Sequence, residues 1–272
     1  MHLAIVSDEI TRDFAAAVEI ATNWGIERFE LRFLPEGRIP RLPDLARTKR
    51  IIREVVKDYG VRIVGLSPGL FKVSLNDPQA IADHSGKLLD ESCALAEDLN
   101  CLKIIAFGVK RFDQEPAFHH QRVIEILGAA AAKCQQRGIT LLLENEPGWW
   151  CDTAGNTASI VKTINNPALK INWDPGNSII AGDVPYPDGY LKIKDFIGNL
   201  HIKDYQKDKS GRTSFRNCCI VGEGSIDWRG QLKAILKDRL LDYVTIETHF
   251  EPYVQNSKKS ALALKKILSE IR

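Results

Sequence analysis

The sequence predicts an α/β protein of the (β/α)8 TIM-barrel class, and three observations carry that expectation. Eight short apolar, β-branched runs recur along 272 residues, each followed by a helix-like or loop segment. Strict alternation of strand and helix implies parallel strands joined by crossovers, and eight such units fit a closed barrel of roughly 250 residues. The competitor is an open doubly wound sheet, which carries a Gly-rich turn after its first strand when it binds a dinucleotide. Here that turn reads SDEITRD, without a glycine.

In order, the strand signals are LAIVS from Leu3, FELRF from Phe29, VRIVGL from Val61 and LKIIAF from Leu102. ITLLLE from Ile139, LKINWD from Leu169, NLHIKD from Asn199 and YVTIET from Tyr243 complete the set. Between the first five lie DFAAAVEIATNW, RTKRIIREVVKDYG, HSGKLLDESCALAEDLN and QRVIEILGAAAAKCQQRG, whose apolar residues recur at helical spacing. Gly25, Gly60, Asn100 and Gly138 stand where these helices close, as left-handed C-terminal caps require. The longest irregular segment, YQKDKSGRTSFRNCCIVGEGSID, follows the seventh strand and is a candidate lid or substrate loop. No linker or composition break divides the chain, so one domain is expected over residues 1–272.

Composition narrows the function classes. Hydrophobic residues at 44% and charged residues at 26% are ordinary for a soluble globular protein. A net charge of +2 gives no strong bias toward nucleic acid or an anionic membrane. The apolar runs are strand-length, far short of the ~20 residues of a membrane span. MHLAIVSDEI lacks the basic lead of a signal peptide. The six cysteines (Cys93, Cys101, Cys134, Cys151, Cys218, Cys219) show no CxxC pairing, which fits a reduced, cytoplasmic protein. Cys218 and Cys219 are adjacent but lack partners at metal-ligand spacing, so all six read as packing residues.

Functional side chains of a barrel sit at the C-terminal ends of its strands. Strand five ends at Glu144, strand six at Asp174, strand seven runs through His201, and strand eight reaches Glu247. Each has a plain structural reading alone: Asp174 begins an Asp-Pro-Gly turn, His201 sits between Leu200 and Ile202, and Glu247 closes a strand. Together, three carboxylates and one imidazole on one rim suit Mn, Mg, Co or Zn in five- or six-fold coordination.

LLLEN, NWDPGN, NLHIKD and TIETH, with the early SDEI and FELR, resemble the sugar phosphate isomerase/epimerase, or xylose isomerase-like, TIM-barrel superfamily. The resemblance covers essentially the whole chain. It implies one divalent ion held by Glu144, Asp174, His201 and Glu247, and a small sugar-like substrate. It also implies Glu144 and Glu247 as the acid/base pair of an isomerase or epimerase, moving a proton beside a carbonyl through a metal-stabilised enediolate. A dehydratase of a cyclic polyol or keto acid would use the same site. The family also includes endonuclease IV-type repair enzymes, but these need several rim histidines and a basic groove. Here only His201 and His249 are at the rim, so no nucleic-acid partner is expected.

Further substrate contacts are open between two readings. Lys203 shares the face of His201 and either binds substrate or is solvated, and Glu30 either bonds a hydroxyl or pairs with Arg32 or another base. Glu146 either follows Glu144 into the mouth or lies in solvent. Phe107, Trp149 and Trp150 either wall the pocket or pack, His249 is a weaker candidate, and Arg212 and Arg216 either meet an anion or are solvated. Two positions depart from relatives. Asn177 stands where many carry a histidine, and Trp150 where ketohexose 3-epimerases carry a glutamate, which leaves the substrate open.

Overall fold

The eight parallel strands of this chain close on themselves into a barrel. The computed structural model describes residues 1–112 and 114–271. Its barrel strands are β1 His2–Val6, β2 Arg28–Leu31, β3 Arg62–Leu70, β4 Lys103–Phe107, β5 Thr140–Glu144, β6 Leu169–Trp173, β7 Ile197–Ile202 and β8 Tyr243–Ile246. They pair in sequence order, and β1 closes onto β8 with His2 opposite Tyr243 and Ile5 opposite Ile246. All eight expected strands are present.

The helices are α1 Phe14–Thr22, α2 Leu45–Tyr59, α3 Pro78–Asp83, α4 Leu89–Asp98, α5 Ala117–Gln136, α6 Ala154–Ile164, α7 Pro175–Ile180, α8 Tyr190–Ile193, α9 Trp228–Asp238 and α10 Tyr253–Glu270. Gly25, Gly60, Asn100 and Gly138 all take positive φ, between 53° and 71°, as their capping positions predict. One helix starts earlier than its apolar pattern. The Asp77 side chain accepts the Ala80 N–H at 2.9 Å and Pro78 occupies the first turn, so α3 begins there rather than at His84. A π turn over His84–Leu88 then joins it to α4.

Strand alternation splits the core in two. Ile104, Ala106, Leu141 and Leu143 belong to the large apolar layer shared with the helices. Ile105, Phe107 and Leu142, one residue out of phase, form a separate cluster inside the barrel. That inner cluster is small because polar residues share the interior. Lys103 Nζ donates to the Gly198 carbonyl and to Tyr243 Oη, each at 3.0 Å, and the Tyr243 hydroxyl donates to Val64 O at 3.1 Å. Period two then dictates the mouth: Glu144 follows Leu142, and His201 follows Asn199, on the inward face.

The segment after β7 is anchored at its root. Asp204–Tyr205 pairs antiparallel with Cys218–Cys219. The Asp204 carboxylate accepts backbone N–H groups from Tyr205 (2.9 Å), Gly222 (2.9 Å), Gly224 (3.2 Å) and Ile226 (3.4 Å). A Cβ at Gly224 would fall 2.0 Å from Asp204 Oδ1, so the backbone approaches only because that residue is glycine. Among the described residues no helix is long and apolar enough to cross a membrane.

Candidate metal centre

Glu144, Asp174, His201 and Glu247 converge at the barrel mouth, and all four are buried. One donor atom from each lies within 4.8 Å of every other. Asp174 Oδ1 caps α7 by accepting the Asn177 N–H at 2.9 Å. Its Oδ2 is buried, 2.7 Å from Lys203 Nζ, but makes no well-directed hydrogen bond. The Lys203 ammonium supplies positive charge beside that oxygen. The donor set, three carboxylates and one imidazole, fits a divalent ion.

Neighbouring side chains fix the cluster. His201 Nε2 lies 2.9 Å from Glu30 Oε2, while Nδ1 faces Glu247 Oε2 at 3.2 Å and Glu144 Oε2 at 3.8 Å. Asn172 donates to Glu144 Oε2 at 2.9 Å and Asn177 to Glu144 Oε1 at 3.3 Å. Asn145 and Asp174 exchange two bonds of 2.8 Å, side chain to backbone, which tie the ends of β5 and β6 together. Lys203 Nζ also lies 2.9 Å from Glu247 Oε2. Arg32 contacts Asp8 (2.9 Å), Glu9 (2.6 Å) and Glu247 Oε1 (2.7 Å). Glu9, Glu247 and His249 form a second ligand-like grouping, and the Arg32 guanidinium already supplies its positive charge.

These contacts move protons. Burial pushes the Glu144 carboxyl up to about 7, against the opposing pull of His201. Burial would raise Glu247 as well, but His249, Lys203 and His201 outweigh it and hold that carboxyl well below its ordinary range. Burial would lower His201, yet Glu30, Glu247 and Glu144 raise it well above the usual imidazole value.

The other expected site residues divide. Glu146, Phe107, Asn177, Lys203 and His249 line the mouth cavity together with Glu144 and Glu247. Glu146 follows Glu144 into the mouth and pairs with Lys72 at 2.8 Å. Glu30 lies beneath, 1% exposed and bonded to His201 rather than to Arg32. Trp150 does not line the cavity. Its backbone N–H donates to the Val109 carbonyl, its ring packs on His120 and Arg111, and it is 7% exposed. Trp149 instead packs near Phe107, with ring centroids 6.2 Å apart. Arg212 and Arg216 are exposed, and it is Phe215 of that loop which reaches the cavity. Among the polar neighbours that the sequence did not signal, Asn172 sits two residues before Asp174 and so shares its face. Arg38, Lys72 and Glu9 come from a short hairpin, a loop and a single helical turn without a periodic signal. The cavity measures about 50 Å³, with Lys72 and Phe215 in its lining.

A closed parallel barrel with an acidic, histidine-containing cluster at the C-terminal ends of β5 to β8 defines a class of enzyme scaffold. The chain belongs to the xylose isomerase-like TIM-barrel family, whose profile matches residues 18–267. No curated protein matches it in sequence. Among solved structures it is similar to the probable 3-DHS dehydratase AsbF of Bacillus anthracis (TM-score 0.77, 19% identity, 97% of this chain and 99% of that one). It is also similar to the IOLI protein with a bound zinc atom (0.79, 16%, 100% and 98%). L-ribulose 3-epimerase is a third (0.78, 18%, 100% and 96%). The solved neighbours include epimerases and a probable dehydratase.

Proposed function

We propose that this protein is a divalent-metal-dependent isomerase or epimerase that moves a proton on the carbon beside a carbonyl of a small sugar-like substrate. One observation carries the reading: Glu144, Asp174, His201 and Glu247 present four donor atoms within 4.8 Å of one another at a barrel mouth. Three carboxylates and one imidazole suit Mn, Co, Zn or Mg. The zinc of the IOLI protein and the sugar chemistry of L-ribulose 3-epimerase support it.

A bound divalent ion would polarise the carbonyl and offset the charge that develops as the neighbouring proton leaves. The rest falls to the chain. Asp174 and His201 would hold the ion, and Glu30 engages His201 Nε2, which leaves Nδ1 turned toward Glu247 and Glu144. Glu144 and Glu247, on strands three apart around the barrel, take and return the proton. Lys203, Asn177, Glu146 and His249 offer polar contacts to substrate hydroxyls, and Phe107 walls one side. A second reading, dehydration of a cyclic polyol or keto acid on the same carboxylates, is supported by the likeness to the probable 3-DHS dehydratase AsbF.

Metal content by elemental mass spectrometry, beside a His201→Ala variant, tests the proposal first. About one ion per chain, lost in the variant, is expected. No metal retained after incubation with Mn, Co or Zn sinks it. Ketoses are then screened for exchange of the carbon-bound proton with deuterium in wild type and Glu247→Gln. Full turnover in that variant removes Glu247 from the acid/base pair. A new ultraviolet chromophore from a conjugated enone would mark the dehydratase instead.

A further inference from the structure

Four cationic side chains line the mouth: Arg32, Arg38, Lys72 and Lys203. Three are neutralised in place. Arg32 contacts three carboxylates, Lys203 two, and Lys72 pairs with Glu146. Arg38 is the exception. Among the described residues no carboxylate lies within ion-pair distance of it, and only its Nε donates, to the Ser67 carbonyl at 3.0 Å.

The guanidinium is nonetheless held in place. Arg38 follows a tight turn, paired antiparallel with Phe33, and its Cζ lies 4.9 Å from the Phe33 ring centroid. On another side the plane rests against Gly69, where φ is +78° and an added Cβ would come 2.9 Å from both Cζ and one terminal nitrogen. Ring, backbone and carbonyl thus fix the inner edge. The terminal N–H groups make no hydrogen bond to any described residue. A half-buried guanidinium fixed on one edge and unpaired on the other presents the two parallel donors that match the oxygens of a carboxylate or phosphate. Arg38 shares its cavity with Glu144, Glu247 and Lys203, so a molecule bound at the centre would lie within its reach.

We infer that the substrate carries an oxyanion group, carboxylate or phosphate, and that Arg38 is the residue that binds it. This rests on the mouth being the substrate site, as in the proposed function, and narrows that reading to acidic or phosphorylated sugar-like molecules. The anion would sit at the free edge of the guanidinium and orient the carbon skeleton toward the carboxylates.

Three matched three-carbon probes test it: glycerate, glycerol 3-phosphate and neutral glycerol. Each is titrated into metal-incubated wild type, Arg38→Met and Arg38→Lys, followed by ligand-observed NMR, with metal content measured on the same samples. One anion should bind wild type at least tenfold more tightly than glycerol, and which one does so separates carboxylate from phosphate. That margin should vanish in Arg38→Met and shrink in Arg38→Lys, which keeps the charge but not the fork. Metal content and circular dichroism should not change. If Arg38→Met fails to fold, the Arg38→Lys margin decides. Equal binding of glycerol and both anions by wild type, or an undiminished margin in the variants, overturns the inference. Arg38-dependent anion binding in a protein that takes up no metal would sink the metal mechanism and leave the anion site standing.

Discussion

Replacing Glu30 with glutamine removes one charge from the layer beneath the site and almost no volume. Glu30 and His201 are both buried, with Oε2 2.9 Å from Nε2. The Glu30 stem packs against Gly65, where an added Cβ would lie 3.2 Å from Cγ, so the side chain has little freedom to leave. Glutamine keeps the shape and can still accept a hydrogen bond through its amide oxygen, but a neutral acceptor is roughly half as strong as a charged one. The expected consequence is a less basic and less firmly oriented imidazole. Loss of such a partner typically weakens metal binding about 10- to 100-fold, or ~1.4–2.7 kcal/mol. Competition with a chromophoric chelator measures this directly, with circular dichroism checking the fold. A Glu30→Gln variant that binds metal within about twofold of wild type would refute the reasoning, because the carboxylate would then contribute nothing to His201 as a ligand.

Two further outcomes follow from the same cluster. Lys203→Met strips the ammonium from Asp174 and Glu247, at 2.7 and 2.9 Å. Breaking a buried pair costs about 3–5 kcal/mol, so thermal unfolding of the metal-free variant should fall by roughly 10 °C and recover partly on adding metal. Unchanged metal-free unfolding would count against it. Metal affinity should depend on pH. Burial raises Glu144 to about 7, so below that value its carboxyl is protonated and must lose the proton before both oxygens can face a cation. Affinity should therefore rise between about pH 6 and pH 8 and continue to rise above it, because His201, also held protonated above its usual range, must give up a proton too. The release is visible by calorimetry in buffers of different ionisation enthalpy. A flat profile would place the proton elsewhere.

What could be read from the chain beforehand follows from period and position. Strand alternation needs only local sequence, so LLLE and NLHI already place Glu144 and His201 in phase with the barrel interior. Strand ends named the four converging residues because a parallel barrel brings every C-terminal strand end to one rim. The partner of Glu30 was not readable, since 171 positions separate it from His201 and closure alone brings them together. Trp150 was expected near the mouth on spacing, but the chain bonds back to Val109 and carries the ring away. Arg38 gave no signal at all, because a short hairpin rather than a strand end delivers it. The early start of α3 did have one: Asp77-Pro78 is a cap followed by a first-turn proline.

The Asp204 carboxylate has a consequence for how this scaffold tolerates change. It grips the loop after β7 through backbone N–H groups, which every residue but proline offers. Gly224 is demanded by close approach, and Gly211 and Gly222 by their positive φ. Most of the remaining side chains in that stretch are therefore free to vary without altering where the loop leaves and re-enters the barrel. The segment that carries Phe215 over the cavity can be rewritten for a new molecule while the carboxylate cluster beneath it stays as it is.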